Sequence, residues 1–273
     1  MKKSKLLIGL FTASVLVTSI GVTTYKDEIV KANQLVEQSM SKEEIHTLML
    51  NSIDNYKTVK GTFEYKSKAG NFDYEINYKV KTQGNPASKI KITSKDNNND
   101  VHESLFVEGK LTEVTHKNKS FEETGVITGR FDKEKYKTPR DRYGKQNGEA
   151  LFIRRQDPSF MNMAAASLFP QNVGLGYLEN YNNWEITGNG NFLNLDVVII
   201  EGKLNEYYQE KHQAENFKLW VHRDSGILLK LEEYSQDGTV VDFINTKKIK
   251  LNESLSDVDL NINIPKEYKK NKF

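Results

Sequence analysis

Residues 217–251 read FKLWVHRDSGILLKLEEYSQDGTVVDFINTKKIKL, and this stretch decides the fold. Phe217, Leu219 and Val221 alternate with Lys218, Trp220 and His222. Asp224-Ser225-Gly226 then turns the chain. Ile227, Leu229, Leu231 and Glu233 alternate with Leu228, Lys230, Glu232 and Tyr234 before Gln236-Asp237-Gly238 turns it again, into Thr239 to Ile244 and on to Ile249 and Leu251. Period-two alternation interrupted by Asp-Gly is a strong hairpin signal, because glycine supplies the positive φ that tight turns need. Three antiparallel strands are predicted, and their apolar face must be covered.

Working outward, the same alternation recurs towards the N-terminus. Val59, Gly61, Phe63 and Tyr65 face one way from Lys60, Thr62, Glu64 and Lys66. After Ala69-Gly70-Asn71, Phe72, Tyr74, Ile76, Tyr78 and Val80 do the same. Lys89 to Thr93, His102 to Val107, Lys110 to His116 and Ser120 to Thr128 continue the pattern, with Glu108-Gly109 as a clear turn and Asp96 to Asp100 as a loop. Ser41-Lys42-Glu43-Glu44 has capping-box form and predicts a helix with Ser41 as N-cap. Ile45, Leu48, Met49, Ser52 and Ile53 give that helix one narrow apolar stripe, so it should lie on a sheet. A first helical piece is expected from Lys26 onward.

Between these strand sets the character changes. Arg130 to Asp157 is charged and rich in turn formers, and reads as a long loop with one short helix. Pro158, as the first helical position, opens an apolar helix in which Phe160, Met163, Ala164, Ser167 and Leu168 share a face. It packs on the core or forms a mobile lid. Gly188-Asn189-Gly190 reads as a turn into a strand, Phe192 to Glu201, that is apolar on both faces and therefore central. Asn205 to Asn216 is a polar connection with a helical turn. Without βαβ alternation the class is α+β, or all-β with helical cover.

The totals narrow the function. The chain has 273 residues, a formal charge of +2 and no cysteine. Thiol catalysis, thiolate metal sites and lipobox acylation are excluded. Interleaved lysines and acids argue against nucleic acid as a partner. Lys2, Lys3 and Lys5 precede an uncharged run from Leu6 to about Val22, the pattern of an export segment over residues 1–24. As a helix the run is roughly 25 Å long, near the ~30 Å of a bilayer core. Thr18 to Gly21 makes a poor cleavage site, which favours an uncleaved anchor over a cleaved signal peptide. The remainder, 25–273, is expected to be exported as a single domain with a helical insertion at about 130–180.

No catalytic motif is present. His46, His102, His116, His212 and His222 show no metal-ligand spacing, and Gly188-x-Gly190 lacks a third glycine. Paired acids such as Glu43-Glu44, Glu122-Glu123 and Glu232-Glu233 read as exposed neighbours. An envelope hydrolase with scattered carboxylates leaves no motif, yet a non-enzymatic role without cofactor is the better reading.

The C-terminal third resembles the LolA-like and RseB-like lipoprotein-carrier superfamily. The resemblance rests on Lys218 to His222, the Asp224-Ser225-Gly226 turn, Leu228 to Tyr234, Asp237-Gly238, Lys247-Lys248-Ile249, Leu251-Asn252 and Ile264-Pro265. His222 departs from it, standing where the family commonly has an acid. Gly61-Thr62-Phe63 matches the family's opening more loosely, and the Arg130 to Pro170 insertion has no counterpart. The resemblance implies an α+β fold, a strongly curved antiparallel sheet forming an incomplete β-barrel, with helices on its concave face and an apolar cavity between. The implied partners are acyl chains of a lipid or lipoprotein, or an envelope regulatory protein such as a membrane-bound anti-sigma factor. Contact with the membrane runs through the N-terminal segment. Candidate cavity residues are Ile45, Leu48, Met49, Phe63, Tyr65, Phe72, Tyr74, Ile76, Tyr78, Phe160, Met163, Leu168, Leu219 and Leu229, large apolar groups on the predicted inner faces.

Overall fold

Twelve strands hydrogen-bond into one open, curved sheet, and short helices cover its concave face. The computed structural model describes residues 40–96, 100–127 and 131–271. The export segment and the first helical piece after Lys26 lie outside the described residues. Among the described residues no helix is long and apolar enough to cross a membrane.

Helix α1 (Lys42–Leu50) begins as its sequence demands. Ser41 Oγ accepts from the Glu44 amide, and Glu44 accepts from the Ser41 amide at 2.7 Å, closing the capping box. A six-strand meander follows: β1 (Thr58–Ser67), β2 (Phe72–Lys81), β3 (Ala87–Ser94), β4 (Val101–Val107), β5 (Lys110–Thr115) and β6 (Ser120–Gly125). The second half contributes β9 (Trp184–Phe192), β10 (Leu195–Lys203), helix α4 (Glu206–His212), β11 (Asn216–His222), β12 (Leu228–Tyr234) and β13 (Val240–Leu251). β13 pairs antiparallel with β1, so the two meanders join into the order β6-β5-β4-β3-β2-β1-β13-β12-β11-β10-β9. The sheet stays open at β9. Register shifts interrupt the β1/β13, β12/β13, β11/β12 and β9/β10 ladders. Such bulges bend strands and increase twist, which curves this half of the sheet without closing it.

The insertion differs from its expected form. Arg130 to Asp157 is no simple loop: β7 (Tyr143–Gln146) and β8 (Glu149–Phe152) form a separate hairpin after a 3-10 turn at Arg140–Arg142. Its turn is Asn147-Gly148, with φ of 54° and 86°. Pro158 is not a first helical residue, and Phe160 is not helical. Phe160 sits at φ 50°, and Asn162–Ala164 is a 3-10 turn leading into the four-residue helix α2 (Ala165–Leu168). Helix α3 (Gln171–Tyr177) follows. Gly188-Asn189-Gly190 is not a turn either: β9 runs straight through it, and the reversal is Leu193-Asn194, both at positive φ. β10 is flanked on both sides but lies next to the edge strand rather than at the centre of the sheet.

The core fills the space between concave sheet and helices. Ile45, Met49, Phe63, Ile76, Leu168, Leu219 and Leu229 are all wholly buried there. At the other end of the chain, residues 252–268 cross the convex face, where Lys60 pairs with Glu253 and Lys79 with Asp259, at 2.9 and 2.7 Å. The tail ends as β14 (Lys269–Lys270), parallel to β6.

Candidate functional site

A cleft of about 540 Å³ lies between the concave face of β1, β12 and β13 and the roof made by α2, α3 and α4. Its sheet wall comes from Tyr65, Leu231, Glu233, Asp242 and Ile244, which all point inward by strand parity. The roof presents Met163, Ala165, Ala166, Phe169 and Val173, and the rim carries Arg154 and Lys211.

The roof is held by side chains reaching backbone carbonyls. Ser167 Oγ donates to the Leu228 carbonyl at 2.8 Å, Ser52 Oγ to that of Leu168 at 2.8 Å, and Tyr56 OH to the same Leu168 oxygen at 3.2 Å. Behind it, Gln171 accepts from buried Arg142 at 3.0 Å and from the Arg155 amide at 2.9 Å. Arg155 pairs in turn with Asp54. Burial, and then the nearby Arg155 charge, lower the Arg142 guanidinium to about 10. These contacts tie the roof to the strands beneath it and to the segment behind it.

The polar end of the cleft is a cluster of His212, Glu233 and Asp242, of which the paired-acid reading places Glu233 in solvent. Glu233 is only 1% exposed, not an exposed neighbour of Glu232. It shares the inward parity of Leu229 and Leu231, whereas Glu232 faces out. Directly opposite it in the β12/β13 ladder stands Asp242, 5% exposed. From α4, His212 Nδ1 lies 2.8 Å from Glu233 Oε2, and the Tyr177 hydroxyl donates to Glu233 Oε1. Asp242 accepts from Ser67 Oγ and from the Lys68 amide, each at 2.8 Å. Burial lowers the affinity of His212 for its proton, but the Glu233 hydrogen bond and charge outweigh it, so the imidazole is raised above its ordinary value. Burial raises Asp242, with the Glu233 charge adding to it and the Ser67 hydrogen bond opposing. Burial, with the charges of Glu233 and Asp242, pushes Tyr65 up to about 12. Donor atoms of His212, Glu233 and Asp242 all lie within 4.8 Å of one another.

Of the fourteen residues singled out from sequence, Tyr65 and Met163 line the cleft. Ile45, Met49, Phe63, Ile76, Tyr78, Leu168, Leu219 and Leu229 are buried in the core. Leu48 packs half-buried against it, and Phe160 leans on Phe106 with ring centroids 4.6 Å apart. Phe72 and Tyr74 are half-buried and stacked at 5.0 Å, and Phe72 meets Tyr65 edge-on at 4.9 Å. An aromatic row thus leads from the cleft wall along the concave face. The other histidines are dispersed. His46 is wholly buried beside Tyr181 and Tyr143, His222 bonds to Ser225 at 2.7 Å, and His102 and His116 pair with Glu113 and Glu103 instead of with each other.

No protein-family model matches the chain, and no curated protein matches its sequence. Solved structures do. The Pseudomonas aeruginosa MucA/MucB complex aligns at 11% identity and TM-score 0.44, covering 80% of this chain and 61% of that one. The Mycobacterium tuberculosis lipoprotein LppX aligns at 11% identity and TM-score 0.37, covering 78% and 97%. A putative outer membrane lipoprotein-sorting protein domain from Vibrio parahaemolyticus aligns at 10% and 0.29, covering 79% and 95%. These are distant likenesses, and the functional argument rests on the cleft.

Proposed function

We propose that this chain is a non-catalytic binding protein of the cell envelope, exported by its N-terminal segment, that holds an acyl chain of a lipid or lipoprotein in the roofed cleft. One observation carries the reading: the sheet and its helical cover leave about 540 Å³ between them rather than interdigitating there. That volume falls within the roughly 300–1,000 Å³ of small-molecule sites. Met163, Ala165, Ala166, Phe169, Val173 and Ile244 offer apolar surface, and methionine adapts to irregular chains. Tyr65, Phe72 and Tyr74 extend that surface beyond the cleft. Arg154 and Lys211 stand at the rim, where an anionic headgroup would meet them.

Organic-solvent extraction of the purified full chain, followed by mass spectrometry, should recover a lipid, and a fluorescent fatty acid should bind and be displaced by it. Neither a recovered lipid nor uptake would count heavily against the acyl-chain reading. Co-purification of one stoichiometric envelope protein, without lipid, would replace it with the regulatory one.

A further inference from the structure

The acids of the cleft carry a second inference. Glu233 and Asp242 are directly opposed on neighbouring antiparallel strands, and both are almost wholly buried. Like charges directly opposite one another on a sheet destabilise it, and burial removes the water that would screen them. A structural acid pair of this kind is normally answered by a lysine or arginine. Among the described residues, the ion pair that answers this acid pair is the one between Glu233 and His212, a single imidazole that is itself half-buried at the end of α4. The cluster therefore sets two opposed carboxyl groups against one imidazole in a buried pocket.

We propose that His212, Glu233 and Asp242 form a binding site for one divalent transition-metal ion. The donor set is one imidazole nitrogen and two carboxylates, which suits zinc and its neighbours better than the all-oxygen shells of calcium and magnesium. The three donors already converge within 4.8 Å, and a bound ion would have to draw them in to metal-ligand distances of about 2.0–2.2 Å. Outer contacts are also in place. Ser67 Oγ and the Lys68 amide orient Asp242, and the Tyr177 hydroxyl orients Glu233, as partners behind metal ligands commonly do. Two donors come from the sheet and one from the roof, so the ion would tie α4 to the concave face. The same three residues line the cleft, so a further coordination position would open into it.

The test uses Zn²⁺ alone and needs no lipid, so it is independent of the acyl-chain reading. The untagged full chain is stripped with chelator, dialysed against Zn²⁺, passed through a desalting column and assayed for metal content. Isothermal titration supplies affinity, and thermal melting supplies stabilisation. One equivalent of zinc per chain is expected, with a rise in melting temperature. His212→Gln, Glu233→Gln and Asp242→Asn should each lose at least about tenfold in affinity, and Tyr177→Phe should lose about tenfold as an orienting partner. His116→Gln, on the far side of the sheet, should bind as the parent does. Glu233→Gln alters a buried position, so its fold is checked by circular dichroism. His212→Gln sits on a half-exposed helix end and decides the matter if Glu233→Gln misfolds. Zinc uptake well below one equivalent would overturn the proposal. So would unchanged affinity in His212→Gln, which would place the ion elsewhere.

Discussion

Gly226 stands at φ 75°, and a Cβ built on it would lie 2.3 Å from the Leu48 carbonyl oxygen. The turn between β11 and β12 is therefore also the seat of α1. Gly226→Ala combines left-handed strain with a backbone clash and should cost about 2 kcal/mol or more in urea denaturation. A loss within experimental error would mean that α1 shifts freely. His46, wholly buried under the roof, sets a pH dependence. Burial, with a smaller contribution from the Arg142 charge, lowers its imidazole to about 4, while the Gly174 carbonyl partly opposes. Unfolded, it would bind a proton near its ordinary 6.5, so the unfolded state takes up more protons between those values. The His46 contribution is thus complete above about pH 6.5 and drains away as pH falls towards 4, by about 3 kcal/mol. Denaturant midpoints at pH 7.5 and 4.5 should differ accordingly, and His46→Phe should flatten that difference. Glu233 shows what single residues concealed: its parity was readable beside Leu229 and Leu231, yet the adjacent Glu232 made the pair look like a solvated face.

At the scale of elements, local signals and packing divide the work. α1 starts where its capping box starts, and Ser41→Ala should cost about 1 kcal/mol in thermal or urea unfolding. The roof has no such signal. α2 is four residues, two alanines, Ser167 and Leu168, with no side-chain cap, held by Ser167 and by the Leu168 carbonyl. Its alanines leave the cleft open. Ala166→Trp should fill it and cut fatty-acid uptake at least about tenfold, about 1.4 kcal/mol of binding, with the fold intact by circular dichroism. Undiminished uptake would move the ligand elsewhere. The β7/β8 hairpin had a readable cue in Asn147-Gly148, the dipeptide that suits consecutive positive φ. Charged, non-alternating flanks hid it, because the hairpin stands apart from the main sheet and buries no long apolar face.

The whole molecule is an open sheet, and its two edges are managed differently. β9 is an edge strand carrying Gly188, Asn189 and Gly190, poor residues for recruiting another strand. The β6 edge is capped by the tail: the Lys269 amide donates to the Lys119 carbonyl at 2.9 Å, the Asn271 amide to that of Phe121 at 2.8 Å, and Tyr268 OH meets His116 at 2.8 Å. Truncation after Pro265 should leave α1 protected while amide hydrogen exchange in β6 accelerates by about tenfold or more. Equal protection in both proteins would mean that the strap is ornamental.

Read alone, the sequence determined most strands of the main sheet, most of their turns and the capped start of α1. Alternation with period two and a capping box are local, and each follows from a few consecutive side chains. Only the tertiary structure decided that most of the large apolar candidates fill the core while small roof residues bound the cleft. It alone brought His212, Glu233 and Asp242 together from α4, β12 and β13. Void volume and the convergence of distant donors depend on how bent layers meet in space, and a one-dimensional pattern carries no measure of that distance.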